Sequence, residues 1–204
     1  DIPAVPKCNG KSLTDNLLEQ IKPFGSKLHL NERVQEIKED KGIWTLKTNK
    51  NKTFITPNII IAGGVGSFEP RKLPLKELTK FEGKSVFYSV TDKALFKNKK
   101  ISIFGGGDSA LDWALEFSKY SKVTLIHRRD EFRGAPHTLQ ELEKLKSEGK
   151  ISIKTPFQLT SINEGKELKF IEIKDNDEKI EKIETDIVLG FFGLIMQLGP
   201  IAEW

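Results

Sequence analysis

Between Ile101 and Arg133 the spacing of apolar positions changes twice. Ile101-Ser102-Ile103-Phe104 is a short, strand-like apolar run. Gly105-Gly106-Gly107 breaks it, and apolar residues then recur at helical spacing: Ala110, Leu111, Ala114, Leu115 and Phe117. A second apolar run, Val123 to Ile126, follows. The pattern predicts strand, tight turn, helix, strand.

Towards the N-terminus the pattern predicts a helix capped by Ser12 or Thr14 and running to about Lys22. Leu13, Leu17, Leu18 and Ile21 form its core-facing stripe, and Pro23 with Gly25 ends it. Strands are expected over Leu28 to Ile37, Ile43 to Thr48 and Thr53 to Ile55, with Asn49 to Lys52 as a hairpin turn. Ile59-Ile60-Ile61 is a run of β-branched residues, which predicts a strand buried on both faces before Ala62-Gly63-Gly64. Phe81 to Tyr88 reads as a crossover with a first short strand. Beyond Arg133, a helix is expected from Thr138 to about Ser147. Strand candidates follow at Ile151 to Phe157, Leu159 to Ile162, Leu168 to Ile173 and Ile180 to Ile183. The alternation in Leu168 to Ile173 argues for an antiparallel meander, and Asp186 to Leu189 reads as the last buried strand, leading into Gly190 to Leu194. The fold class expected is α/β: a Rossmann-like, three-layer nucleotide-binding domain carrying an antiparallel β-meander.

The turn between the first strand and its helix carries the candidate chemistry. Gly105-x-Gly107-x-x-Ala110 is the dinucleotide fingerprint with alanine at its third small position. Gly105 allows a sharp turn, Gly107 lets backbone N–H groups approach a pyrophosphate, and Ala110 keeps the helix against the sheet. The amides around Asp108 and Ser109 would form an anion site reinforced by the helix dipole. An NAD site would place Asp or Glu about 20 residues further on. This chain has His127-Arg128-Arg129, with Arg133 close behind. Guanidinium forks match phosphate oxygens, so the cluster suits a 2′-phosphate and NADP(H) rather than NAD. The competing reading is a solvated basic helix start.

GGGDSALDWAL followed by HRRDEFR resembles the NADPH-binding domain of the thioredoxin-reductase-like flavoenzymes, specifically their ferredoxin/flavodoxin-NADP reductase branch. Thioredoxin reductases carry a Cys-x-x-Cys just before the glycine turn. Tyr88 to Lys93 stands there without a cysteine, which selects the ferredoxin-reductase branch and disfavours a dithiol-dependent reductase. The resemblance implies part of a second, FAD-type domain over residues 1–80, the NADP(H)-binding domain over 81–193, and a return segment towards the FAD domain over 194–204. It also implies hydride exchange between NADPH and FAD, ferredoxin or flavodoxin as electron partner, and a homodimer, while the fingerprint context sets His127 beside the adenosine phosphate. Ala62, Gly63 and Gly64 are open to two readings, an FAD contact or a glycine turn after a core strand. The family's N-terminal GxGxxG and C-terminal Gly-Asp segment are missing from this sequence, so the 204-residue chain alone is expected to be inactive. The first residue, Asp1, fits a piece of a longer protein. A non-catalytic NADP(H)-binding module is the alternative.

Composition narrows the remaining classes. Hydrophobic residues make up 37% and charged residues 30% of the chain, as in soluble globular proteins. No apolar run is long enough to span a bilayer, so no membrane association is expected. The net charge of +4 is a small excess of 33 basic over 29 acidic residues, intermixed and without the basic stripe that nucleic-acid binding requires. Cys8 is the single cysteine, so no intrachain disulfide can form and a cytoplasmic setting is expected. His29, His127 and His137 share no metal-ligand spacing, and no catalytic dyad or nucleophile stands out.

Overall fold

A computed structural model describes residues 5, 8–64, 66–67, 69–163 and 165–204. The chain forms two compact units, one of residues 1–63 with 199–204 and the other of residues 64–198. The sequence-based boundaries at 80/81 and 193/194 both fall inside the second unit.

In the first unit, helix α1 (Gly10–Ile21) precedes a three-stranded antiparallel sheet of β1 (Val34–Asp40), β2 (Ile43–Thr48) and β3 (Thr53–Thr56), in that order. The N-cap of α1 is Asn9 rather than Ser12 or Thr14. Its side chain accepts from the Ser12 N–H at 2.8 Å. The predicted core stripe on α1 is not buried: Leu17 is 52% exposed, and Leu18 and Ile21 are exposed as well. Residues 28–33 lie outside β1, with Leu28 and Leu30 exposed. The predicted strand at Ile59 to Ile61 does not form either, and Ile60 is 92% exposed. No strand among the described residues pairs with it, and a strand without a neighbour has no ladder to satisfy its backbone. The short 3₁₀ turn Gly199–Glu203 packs on β1.

The second unit is built on a five-stranded parallel sheet. Its strands are β5 (Val86–Phe87), β6 (Lys100–Gly105), β7 (Lys122–Ile126), β8 (Ile151–Lys154) and β12 (Ile187–Phe191), in the order β5-β12-β6-β7-β8. Helices α2 (Asp108–Phe117) and α3 (Pro136–Ser147) cover one face. On the other lies an antiparallel meander of β9 (Phe157–Ile162), β10 (Phe170–Asp175) and β11 (Ile180–Glu184). The predicted strand Ile151 to Phe157 is therefore two strands, since the chain leaves the parallel sheet after Lys154 and joins the meander at Phe157. A two-stranded ribbon pairs β4 (Glu69–Pro70) with β13 (Leu194–Ile195).

Strand alternation sorts the apolar residues into two cores. Ile101, Ile103, Val123, Leu125, Ile187 and Leu189 pack with Ala110, Leu111, Ala114, Phe117 and Leu142 of the helices. Phe104, Ile126 and Val188 point the other way, onto Leu159, Ile171 and Ile173 of the meander. The buried Ser102 and Thr185 hydroxyls pair with each other at 2.7 Å, whereas the buried Tyr120 hydroxyl has no partner among the described residues. The result is the three-layer arrangement expected from the pattern. Among the described residues, no helix is long and apolar enough to cross a membrane, and no group of His, Cys, Asp and Glu could hold a metal ion.

The contrast between the two units is measurable. Leu125→Ala, at a fully buried position, is expected to lower the free energy of unfolding by about 2–5 kcal/mol. Leu17→Ala in α1 is expected to change it by no more than about 0.5 kcal/mol. Urea unfolding of the two variants beside the parent chain checks both values.

Candidate functional site

Because all five strands of the parallel sheet run the same way, β6, β7 and β12 end at one edge. Strand order reverses between β6, which continues outward to β7 and β8, and β12 on its other side. Loops leaving the strand ends diverge at such a point and open a crevice. Here it is a cleft of about 570 Å³, floored by Phe104 and Ile126 and bordered by Gly105, Gly106 and Gly107.

The glycines differ in what they do. Gly105 ends β6 at φ +156°, and a Cβ there would lie 2.7 Å from the Phe191 carbonyl oxygen and 2.8 Å from Ala110 Cβ. Both the strand end of β12 and the start of α2 need that space, which accounts for small residues at Gly105 and Ala110. A Cβ on Gly106 would overlap the His127 imidazole. Gly107 is free of such crowding, its nearest neighbour being the Arg133 carbonyl oxygen at 3.9 Å. It occupies the N-cap position of α2 without a capping side chain, and its carbonyl accepts from the Ala110 and Leu111 N–H groups. The N–H groups of Asp108 and Ser109 have no acceptor among the described residues and remain available to an anion. The carboxylate of Asp108 does not cap its own helix. It accepts from the Ala135 N–H at 3.2 Å and so ties the start of α2 to the start of α3.

His127, Arg128 and Arg129 follow β7 directly and line the cleft with Arg133. The backbone at His127 is held on both sides: its N–H donates to the Lys154 carbonyl at 3.0 Å, and its carbonyl accepts from the Phe157 N–H at 2.9 Å. Its ring stacks on Phe132 with centroids 5.4 Å apart. The Arg133 N–H donates to the Gly106 carbonyl at 2.6 Å, which fastens the arginine segment to the glycine turn. All three arginine side chains are solvent-exposed. Burial, followed by the charges of Arg129, Arg128 and Arg133, holds the His127 imidazole below its ordinary pKa of 6.5 and so neutral at pH 7.

Ten of the thirteen site residues expected from the sequence therefore meet at this edge: Gly105 to Ala110, His127, Arg128, Arg129 and Arg133. Ala62, Gly63 and Gly64 do not line the cleft. Ala62 and Gly63 belong to the first unit and Gly64 begins the second. The sequence reading missed the opposite wall, where Arg71, Lys72 and Pro74 face the cleft beside Phe191, Phe192 and Gly193. The rule that ligands gather at the carboxyl ends of parallel strands could have implicated residues 191–193. Arg71 had a weaker signal, as one of only two arginines outside the cluster after β7.

Two outcomes follow at His127. Gly106→Ala should destabilise the chain by about 1–3 kcal/mol through overpacking. The cost should largely disappear in the His127→Ala background, which a double-mutant cycle by urea unfolding measures. Because folding depresses the pKa of this base, the unfolded chain binds the extra proton as pH falls below 6.5. The stability that the neutral imidazole supports is thus complete above that pH and is lost as pH falls through the lower folded pKa. The parent chain should lose more stability on acidification than His127→Gln, as unfolding at several pH values would record.

Known proteins share this chain's family and fold. Residues 3–203 match the family described as pyridine nucleotide-disulphide oxidoreductase. The ferredoxin–NADP reductase of Pelagibacter ubique (strain HTCC1062) is 59% identical over the whole chain, which covers 60% of that relative. The ferredoxin–NADP reductase of Bradyrhizobium sp. (strain BTAi1) is 43% identical, again over the whole chain and 60% of the relative. Among solved structures, the thioredoxin reductase of T. acidophilum is similar with a TM-score of 0.83 and 26% identity over 98% of this chain and 64% of that one. The thioredoxin reductase of Lactococcus lactis gives 0.81 and 25% over 95% and 63%. The chain thus spans less than two thirds of the length of each of these relatives. Matched over residues 3–203, the chain belongs to the pyridine nucleotide-disulphide oxidoreductase family.

Proposed function

We propose that this chain is the NADP(H)-binding part of an FAD-dependent oxidoreductase of the ferredoxin–NADP reductase type. The observation that carries the reading is the convergence of Arg128, Arg129 and Arg133 on the cleft that the Gly105 to Gly107 turn opens. The residues present fit the ligand. Gly107 leaves room for a pyrophosphate, and the Asp108 and Ser109 amides are available to it. The guanidinium groups after β7 stand where a 2′-phosphate would discriminate NADPH from NADH. Neutral His127 lies among them as an apolar, hydrogen-bonding surface for the adenosine end.

NADPH held by the glycine turn, the first amides of α2 and the arginines after β7 would supply a hydride, for which FAD would be the acceptor in the complete protein, with ferredoxin or flavodoxin as the onward electron partner. The contribution of this chain is to fix the dinucleotide in position through its glycine turn, helix start and arginines. For FAD itself the fit is partial: Ala62, Gly63 and Gly64 present backbone with little side chain, but the sequence contains no second GxGxxG turn to hold a flavin pyrophosphate. The ferredoxin partner rests on the names of the relatives, the homodimer on the resemblance to that branch, and the cytoplasmic setting on the single cysteine.

Calorimetric titration of the chain should show NADPH bound well ahead of NADH. Arg128→Ala with Arg129→Ala should weaken NADPH on the order of a hundredfold, about 1.5–3 kcal/mol being typical of each charged hydrogen bond, and barely affect NADH. Equal losses for the two dinucleotides would refute the 2′-phosphate assignment.

A further inference from the structure

The chain contains five arginines among its 33 basic residues, and four of them line one cleft. Three follow β7. The fourth, Arg71, comes from a different part of the sequence and stands on the other wall. Its backbone is fixed from two directions. The β4–β13 pairing sets Glu69 and Pro70 against Ile195 and Leu194, and the Arg71 N–H donates to the Gly193 carbonyl at 3.0 Å. Gly193 lies just beyond the end of β12, so Arg71 is anchored on the β12 flank of the strand-order reversal while Arg128 and Arg129 extend the β7 flank.

Its neighbour behaves differently. Lys72 also faces the cleft, but its ammonium is paired with Glu82 at 2.8 Å, and Glu82 in turn accepts from the Tyr88 hydroxyl at 3.5 Å. Among the described residues, Arg71 has no carboxylate within ion-pair distance. The wall therefore offers one guanidinium to a ligand, while its lysine is already committed to the protein.

A dinucleotide phosphate carries charge in two places, at the 2′-phosphate and at the central pyrophosphate. If the adenosine end lies against the arginines after β7, the chain of the ligand must cross the glycine turn towards β12 to stay in the crevice. We propose that Arg71 binds the phosphate of the non-adenosine nucleotide, and so fixes the nicotinamide half of the ligand on the β12 side of the cleft. The inference rests on the NADP(H) reading above, but it concerns a residue and a phosphate that the discrimination between NADPH and NADH does not involve.

The test uses three ligands on the chain: NADPH, NADH and 2′,5′-ADP, which keeps the adenosine half with both of its phosphates and lacks the nicotinamide nucleotide. Arg71→Ala should weaken NADPH and NADH by a similar factor, roughly tenfold, and leave 2′,5′-ADP unchanged. Arg71→Lys should recover part of the loss, since it restores the charge without the fork. Arg71 is exposed, so thermal unfolding of the variants should match the parent and exclude a folding defect. Unchanged NADPH affinity in Arg71→Ala would overturn the proposal, as would a parallel loss of 2′,5′-ADP, which would assign Arg71 to the adenosine half. Failure of the underlying reading looks different: the parent chain would not bind 2′,5′-ADP, or Arg128→Ala with Arg129→Ala would leave that binding intact.

Discussion

The junction of β6, β12 and α2 closes only because two positions carry almost no side chain. Gly105 lies where any Cβ would press on the Phe191 carbonyl and on Ala110, and Ala110 is itself fully buried. With a larger residue at either place, α2 could not begin directly above the strand end. Its first amides would then be turned away from the crevice, and the carbonyl of Gly106 would no longer meet the Arg133 N–H. The glycine turn is thus a packing requirement before it is a binding feature. The open space at Gly107 is what remains once Gly105 and Gly106 have been used for close contact.

The parts of the fold legible in the sequence are those whose signals are local. The run from Ile101 to Ile126 contains strand period, glycine spacing and helix period within one stretch, and each is satisfied by neighbours inside that stretch. Ile59 to Ile61 has equal β-propensity but no pairing strand among the described residues, and propensity alone does not make a ladder. Residues 151–157 read as one strand because both halves are apolar; the change of sheet after Lys154 is a tertiary event. At the start of α1, three polar residues could each supply a cap, and spacing could not choose Asn9 over Ser12 or Thr14.

The same distinction divides the site. His127, Arg128 and Arg129 were legible because a fixed distance separates a dinucleotide turn from the end of the next strand. Arg71 was not, because its place depends on a pairing between residues 69–70 and residues 194–195, which no local pattern encodes. The chain's use of arginine does mark the site after the fact. Lysine serves throughout the surface, often paired with a nearby carboxylate, as in Lys93 with Glu116 and Lys174 with Glu178, whereas arginine is concentrated where planar forks facing phosphate would be useful.

The bond from the Arg133 N–H to the Gly106 carbonyl, together with that from the Ala135 N–H to Asp108, joins the arginine segment to the helix start. For the ligand proposed above, with charge at both ends of an adenosine unit, this would make one bivalent site of the helix start and the arginine segment. With the first phosphate held, the second would be delivered at an effective concentration set by the ligand's own short span rather than by its concentration in solution. Selectivity for the intact dinucleotide over its separate phosphates would then arise from the fixed spacing between the sites, with no demand for high affinity at either one.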